Sequence, residues 1–183
     1  MPSPLIHTAA AWALSRPARA RASSPPPPRI PFLLYSIFAA MLPDADAALG
    51  LLVAPLSRLS SIHNQATHSL LFALATALLL SAAARLLLFR RIPWPRLFAW
   101  TLLLLLSHLF LDWLTWGRGE PLLWPFTDRR YGSPVPLFYG VRYSEGLFSL
   151  SHCVTLLTET ATVAAVWLLC LACRRCRRKT DRP

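Results

Sequence analysis

His108 and Asp112 stand four residues apart in Leu106-Ser107-His108-Leu109-Phe110-Leu111-Asp112-Trp113, within an otherwise apolar run. Residues at that spacing share one face of a helix. Ionisable groups inside an apolar helix are costly and turn toward the protein interior. An imidazole and a carboxylate so arranged can form a buried hydrogen-bonded pair, share a metal ion, or act as a ligand and its orienting partner. His63 and His68 bracket Asn64-Gln65-Ala66-Thr67, a spacing that assigns His63 to a loop and suggests Thr67 as the N-cap of the helix that follows. Leu42-Pro43-Asp44-Ala45-Asp46 ends an apolar stretch with two carboxylates, which an Asx turn would explain as well as a ligand role. His7 and His152 complete the five histidines of the chain.

Together these residues offer imidazole nitrogen and carboxylate oxygen without thiolate. Such donors suit zinc, manganese or iron, and zinc or manganese fits a hydrolytic site best. In such a site a coordination position stays open for water, whose pKa falls, and the scissile bond is polarised. The donors outnumber what one tetrahedral ion needs, so a site of two or more ions is open. No Ser-His-Asp order, glycine-rich phosphate loop or His-Glu-x-x-His motif points to another enzyme class.

The elements that must position these residues are membrane helices. Just over half of the 183 residues are apolar, yet the formal net charge is +11. The two properties separate along the chain, with long uncharged runs alternating with short arginine-rich connections. That marks a polytopic membrane protein rather than a nucleic-acid binder. A span needs about 20 mostly apolar residues. His68 to Phe89, Leu97 to Trp116 and His152 to Cys173 qualify, with Arg85 able to snorkel to the interface. Leu5 to Leu14 and Ile30 to Leu42 are shorter, and Ala47 to Leu59, broken by Gly50 and Pro55, reads as interfacial or re-entrant. The expected fold is therefore all-α, a polytopic helical membrane bundle of three transmembrane helices plus two shorter N-terminal membrane helices. Residues 1–173 are read as one membrane-embedded domain and 174–183 as a basic cytoplasmic tail.

Charge gives the expected orientation. Arg16, Arg19 and Arg21 follow the first apolar stretch, whereas a signal peptide carries its charge before it. Ser23-Ser24-Pro25-Pro26-Pro27-Pro28 then links two short helices. With the Arg16–Arg29 loop, the Arg90–Arg96 loop and the C-terminal tail in the cytoplasm, that side holds thirteen of the 19 basic residues against five outside. This topology requires both short stretches to cross. It puts all five histidines, with Asp44, Asp46 and Asp112, at the outer face. Cys170, Cys173 and Cys176 lie at the cytoplasmic end among arginines; no second ligand pair makes a zinc ribbon, and small apolar residues closing a helix explain them.

A histidine near the N-terminus, Leu42-Pro43-Asp44-Ala45-Asp46, His63 through Thr67-His68-Ser69-Leu70, and Ser107-His108 through Leu111-Asp112-Trp113-Leu114-Thr115 occur in this order, followed by Gly117 and Leu122-Leu123-Trp124-Pro125-Phe126. On these blocks, from His7 to about Phe126, the chain resembles the YdjM-type family of bacterial inner-membrane proteins, described by inference as metal-dependent hydrolases. That family in turn resembles the zinc-dependent phospholipase C and P1 nuclease group. The resemblance implies a ligand role for His7, Asp44, Asp46, His63, His68, His108 and Asp112, and metal dependence more than a substrate. Asn64 departs from the family pattern, where arginine often follows the first histidine of the pair.

The leading expectation is a hydrolase of the inner membrane acting at its outer face on a phosphoester, such as that of a lipid. Asp44 or Asp112 would serve as general base. Membrane lipids are the expected partners, and Arg118, Arg129, Arg130 and Arg142 could meet a phosphate or the headgroups. Two other readings stand beside it. A metal transporter or sensor would use the same ligands but normally needs ionisable groups near the midplane, where Glu159 is the acidic candidate. A non-catalytic scaffold would use the histidines structurally.

Overall fold

The computed structural model describes residues 3–53, 65–141 and 149–180. His63, Arg58, Arg142 and the side chains of Cys170, Cys173 and Cys176 lie outside the described residues, as does the stretch from 54 to 59. The elements are α1 (Pro4–Ala22), α2 (Arg29–Met41), a 3-10 turn (Leu42–Asp44), α3 (Ala45–Val53), a second 3-10 turn (Ala66–His68), α4 (Leu70–Leu87), α5 (Trp94–Trp113) and α6 (Ser151–Thr180). Among the described residues the fold is all-helical, and its β-pairing is limited to two isolated bridges, Thr115 with Phe138 and Glu120 with Tyr131.

Among the described residues, three segments are long and apolar enough to cross a membrane: Arg29–Ala47, Leu70–Leu87 and Trp94–Trp113. The second N-terminal stretch is thus longer than its apolar run suggests. Pro43 does not end the helical path; it sits at the start of a 3-10 turn, where a missing N–H costs little, and α3 follows at once. The first stretch is also extended, because α1 runs on through Arg16, Pro17, Arg19 and Arg21. At the other end α6 continues past Cys173 through Arg174 to Thr180. Ser69, not Thr67, caps α4, its hydroxyl accepting from the Phe72 N–H at 3.1 Å.

Helix α4 faces two media. Ala73, Ala77, Ser81 and Ala84 recur near every fourth residue and are buried, while Leu74, Leu78, Leu79, Leu86 and Leu87 are exposed. Small residues let two backbones approach closely, the usual basis of packing where lipid removes the hydrophobic drive between helices. The partner is α5, whose Leu105 and Leu109 meet Ala73 and Ala77. The other side of α5 packs Leu97, Trp100 and Leu104 with Phe32, Tyr35, Ala39 and Ala40 of α2 and with Ala11 of α1. Leu97, Trp100, Thr101, Leu104, Leu105, His108, Leu109 and Asp112 form one buried stripe along α5. Polar groups within this core are paired: the Trp100 indole N–H donates to Ser36 Oγ at 3.1 Å, and the Tyr35 hydroxyl meets that of Thr101.

Glu159 closes the bundle on the α6 side. Its carboxylate is buried and accepts from both the backbone N–H and the hydroxyl of Ser3, the residue preceding α1. Beyond α5 the chain folds back on itself. Ser133 N donates to Trp113 O at 2.9 Å, Leu137 N to Leu114 O at 2.7 Å, and Leu70 N to Leu122 O at 2.9 Å. Gly119 (φ +75°) makes this return possible, since a Cβ there would stand 2.8 Å from the Tyr131 carbonyl carbon.

Overpacking the α4–α5 contact is expected to destabilise where lengthening a lipid-facing side chain is not. Ala77→Leu should cost about 1–3 kcal/mol, whereas Leu78→Met should stay within about 0.5 kcal/mol. Thermal unfolding of the protein in detergent measures both. Equal losses would contradict the assignment of the two faces.

Candidate metal centre

Four short-range placements bring distant residues to one point. His7 lies in the first turns of α1, which Ser3 and Glu159 anchor. Asp44 ends the 3-10 turn after α2, and His68 ends the 3-10 turn before α4. His108 and Asp112 are successive members of the buried stripe of α5. All five side chains are buried, Asp44 the least so.

Among the described residues, Asp44, His68, His108 and Asp112 form a group able to hold a metal ion, each offering one ligand atom and all of these atoms lying within 4.8 Å of one another. His108 Nε2 stands 3.0 Å from Asp112 Oδ2 and 3.3 Å from Asp44 Oδ1. His68 Nε2 stands 3.3 Å from Asp112 Oδ2, 3.5 Å from Asp44 Oδ1 and 3.4 Å from His108 Nε2. Ligands held at about 2.0–2.1 Å around a tetrahedral ion are separated by roughly 3.3 Å. These five edges scatter closely about that value.

The outer nitrogens of the two imidazoles fix which atoms face inward. His108 Nδ1 donates to the Ala40 carbonyl at 2.7 Å, because a carbonyl can only accept. The Thr67 hydroxyl gives its proton to Asp46 Oδ2, so toward His68 Nδ1, 3.0 Å away, it accepts. Both Nδ1 atoms therefore carry protons. In the neutral rings both Nε2 lone pairs then point at each other and at two carboxylates. Hydrogen bonds from Nδ1 to a carbonyl or hydroxyl are the usual support of a metal-ligating histidine. Among the described residues, no hydrogen bond of normal geometry reaches either oxygen of Asp112 or either nitrogen of His7. Converging buried lone pairs of this kind are expensive without a cation among them. The donor set and its geometry fit a divalent ion.

The sequence-derived candidates separate on this geometry. His7 adjoins the group: its ring stacks on His108 at 3.9 Å between centroids, and its Nε2 is 3.6 Å from Asp112 Oδ1. Asp46 lies on the outer side of His68, 3.9 Å from Nδ1, and meets Thr67 rather than the central space. His152, at the start of α6, is not in the metal-competent group. Three participants were not foreseen. Thr67 orients His68 instead of capping a helix, the Ala40 carbonyl orients His108, and Glu159 holds the start of α1. Thr67 could have been suspected from its adjacency to His68; nothing in the sequence marks a backbone carbonyl.

Basic side chains stand in the return segment beyond the fifth helix. Arg130 donates to the Gly119 carbonyl at 3.1 Å and to Gln65 Oε1 at 3.3 Å. The Arg118 pKa is lowered from its ordinary value, first by burial and then by repulsion from Arg130, with Glu120 and Asp46 opposing. Arg118 therefore lies within electrostatic reach of Asp46.

No curated protein and no solved structure matches the chain. The YdjM inner membrane protein profile matches residues 1–179, nearly the whole length and including every member of the buried group. The chain therefore belongs to the YdjM inner membrane protein family.

Proposed function

We propose that this protein is a membrane-bound metal-dependent hydrolase, with a centre built from Asp44, His68, His108 and Asp112 and a phosphoester, such as that of a lipid headgroup, as its substrate. The observation that carries the reading is the set of five ligand-to-ligand distances between 3.0 and 3.5 Å around inward-facing imidazole and carboxylate atoms. Zinc fits these edges and donors best, and manganese accepts the same donors. When bound, such an ion polarises a phosphoryl oxygen and supplies a water acidic enough to ionise near neutrality.

The chain's own residues divide the remaining work. Asp112, fully buried and next to His7, holds charge at the base of the centre. Asp44 keeps a side chain partly open to the exterior, which suits it better than Asp112 to accept a proton from an entering molecule. The Asp46–Thr67–His68 series fixes the His68 ring, so in this reading Asp46 orients a ligand and does not bind the ion. Arg118 and Arg130 provide cationic donors at the rim for an anionic phosphoester. The charge distribution of the loops argues that this end faces outward and the C-terminus inward. The use of Glu159 by Ser3 weighs against a transport path along α6.

Metal content of the detergent-purified protein is the first test. The wild type should carry zinc or manganese in stoichiometric amount, and His68→Ala/His108→Ala should lose it while keeping its helicity. Absence of metal from reconstituted wild type would sink the hydrolase reading. With metal present, phosphodiester and lipid substrates are then assayed, and hydrolysis should disappear in Asp44→Asn.

Thr67→Val tests the orienting series separately. Loss of such an outer partner typically weakens metal binding about 10–100-fold, so the variant should bind more weakly in competition with a chelator, and Thr67→Ser should recover most of the affinity. Protons compete with metal for imidazole and carboxylate, so affinity should fall as the medium is acidified. An unchanged affinity in Thr67→Val would remove Asp46 and Thr67 from the site.

A further inference from the structure

At the end of the bundle remote from the metal centre, a cavity of about 360 Å³ opens between α1, α2 and α5. Ala18 and Arg21 of α1, Phe32 of α2, and Arg96, Trp100 and Leu103 of α5 line it. Twelve residues of helix separate Arg96 from His108, or about 18 Å at the usual rise. The two sites are therefore distinct. The cavity falls within the range of roughly 300–1,000 Å³ typical of small-molecule sites.

Its walls and its mouth differ in chemistry. The walls are apolar, and the one indole N–H among them is already spent on Ser36. The mouth carries Arg21 and Arg96, both exposed, with Arg96 Nη1 held 3.5 Å from the Ala22 carbonyl at the end of α1. A smaller cavity of about 180 Å³ shares Phe32 and is lined by Arg16, Arg19 and Arg29. Among the described residues none of these three arginines pairs with a carboxylate: Arg19 donates to the Pro27 carbonyl and Arg16 lies over the Trp12 ring. No aspartate or glutamate occurs in residues 11–37 or 78–105, the parts of the first, second, fourth and fifth helices toward this end of the bundle. The structure thus sets an apolar slot beside a cluster of uncompensated positive charge.

We propose that this cavity is a binding site for an anionic phospholipid, one acyl chain lying against Phe32, Trp100 and Leu103 and the headgroup phosphate meeting Arg21 and Arg96. Charge complementarity selects the occupant. A zwitterionic lipid would fill the slot but offer the arginines no net charge, and a soluble phosphate would meet the arginines but gain nothing from the walls. Basic pockets between helices at one membrane face are a general means of holding anionic headgroups. This inference does not depend on the metal centre or its activity.

The test is native mass spectrometry of the full chain, delipidated in detergent and titrated with dioleoyl phosphatidylglycerol or dioleoyl phosphatidylcholine. The wild type should bind the anionic lipid about tenfold or more tightly than the zwitterionic one, the scale expected of two arginines beside a phosphate. Arg21→Gln/Arg96→Gln should abolish that preference with unchanged helicity and elution volume. Ala99→Phe, which narrows the cavity from its α5 wall while keeping the charge, should weaken binding of both lipids. Millimolar inorganic phosphate should not displace the bound lipid. Equal binding of the two lipids by the wild type overturns the proposal without reference to any variant. So does a preference that survives the double substitution, or displacement by phosphate.

Discussion

Two carboxylates and two imidazoles meeting with all their ligand atoms within 4.8 Å of one another, inside an apolar bundle, form the constraint on which much of the remaining architecture depends. Asp44 and Asp112 both approach His108 Nε2 and His68 Nε2, so like charges are brought together where water cannot screen them. A cation relieves that cost, and the same arrangement becomes a source of binding energy once it is present. The two Nδ1 hydrogen bonds matter because they prevent the rings from turning a proton inward. The Ala40 carbonyl and the Thr67 hydroxyl thus belong to the centre as fully as the residues that face it.

Positioning such a centre demands rigid supports, and the helices supply them through different means. His108 and Asp112 ride on the stripe of α5 that also carries Leu97, Leu104 and Leu105, so the packing of the core fixes the ligands. The small face of α4 keeps that helix close to α5 and hence His68, just before it, close to His108. The 3-10 turn at Pro43 carries the helical path on past α2, and Asp44 at its end reaches His108 of α5. Ser3 and Glu159 secure the start of α1, where His7 stacks on His108.

What the sequence made legible follows from what is periodic or local. His108 and Asp112 could be paired from their spacing of four, and the apolar runs of α4 and α5 announced their lengths within a few residues. Convergence of His7, Asp44 and His68 on that pair is legible only from topology and the family resemblance, because nothing local encodes contact across 40 or more residues. The length of the α2 segment was underestimated because Pro43 looks like a stop, although at the first turn of a new helical segment it is tolerated. Thr67 looked like a cap because caps are the commonest use of such a residue before an apolar helix; its hydroxyl was claimed by Asp46 and His68, and Ser69 took the cap. Asp46 could not be told from Asp44 by sequence, since two residues apart on an irregular turn gives no fixed relation between side chains.

The separation of charge along the bundle links its two ends. Asp44, Asp46, Asp112 and Glu120 lie toward one end, and Arg16, Arg19, Arg21, Arg29, Arg90, Arg91 and Arg96 toward the other. A bundle polarised in this way has a preferred direction in a membrane whose inner surface is anionic, because basic residues near that surface are stabilised by about 1 kcal/mol each. The same asymmetry spares the buried carboxylates from competition by nearby arginines, so that a small divalent ion is the natural partner for them. Among the described residues Arg118, Arg129 and Arg130 are the exceptions, and they stand in the return segment, where Gly119 turns the chain tightly and Arg130 meets Gln65. The cations at the acidic end thus stand in the return segment and not among the buried ligands, so the carboxylates of the group face no arginine from within the core.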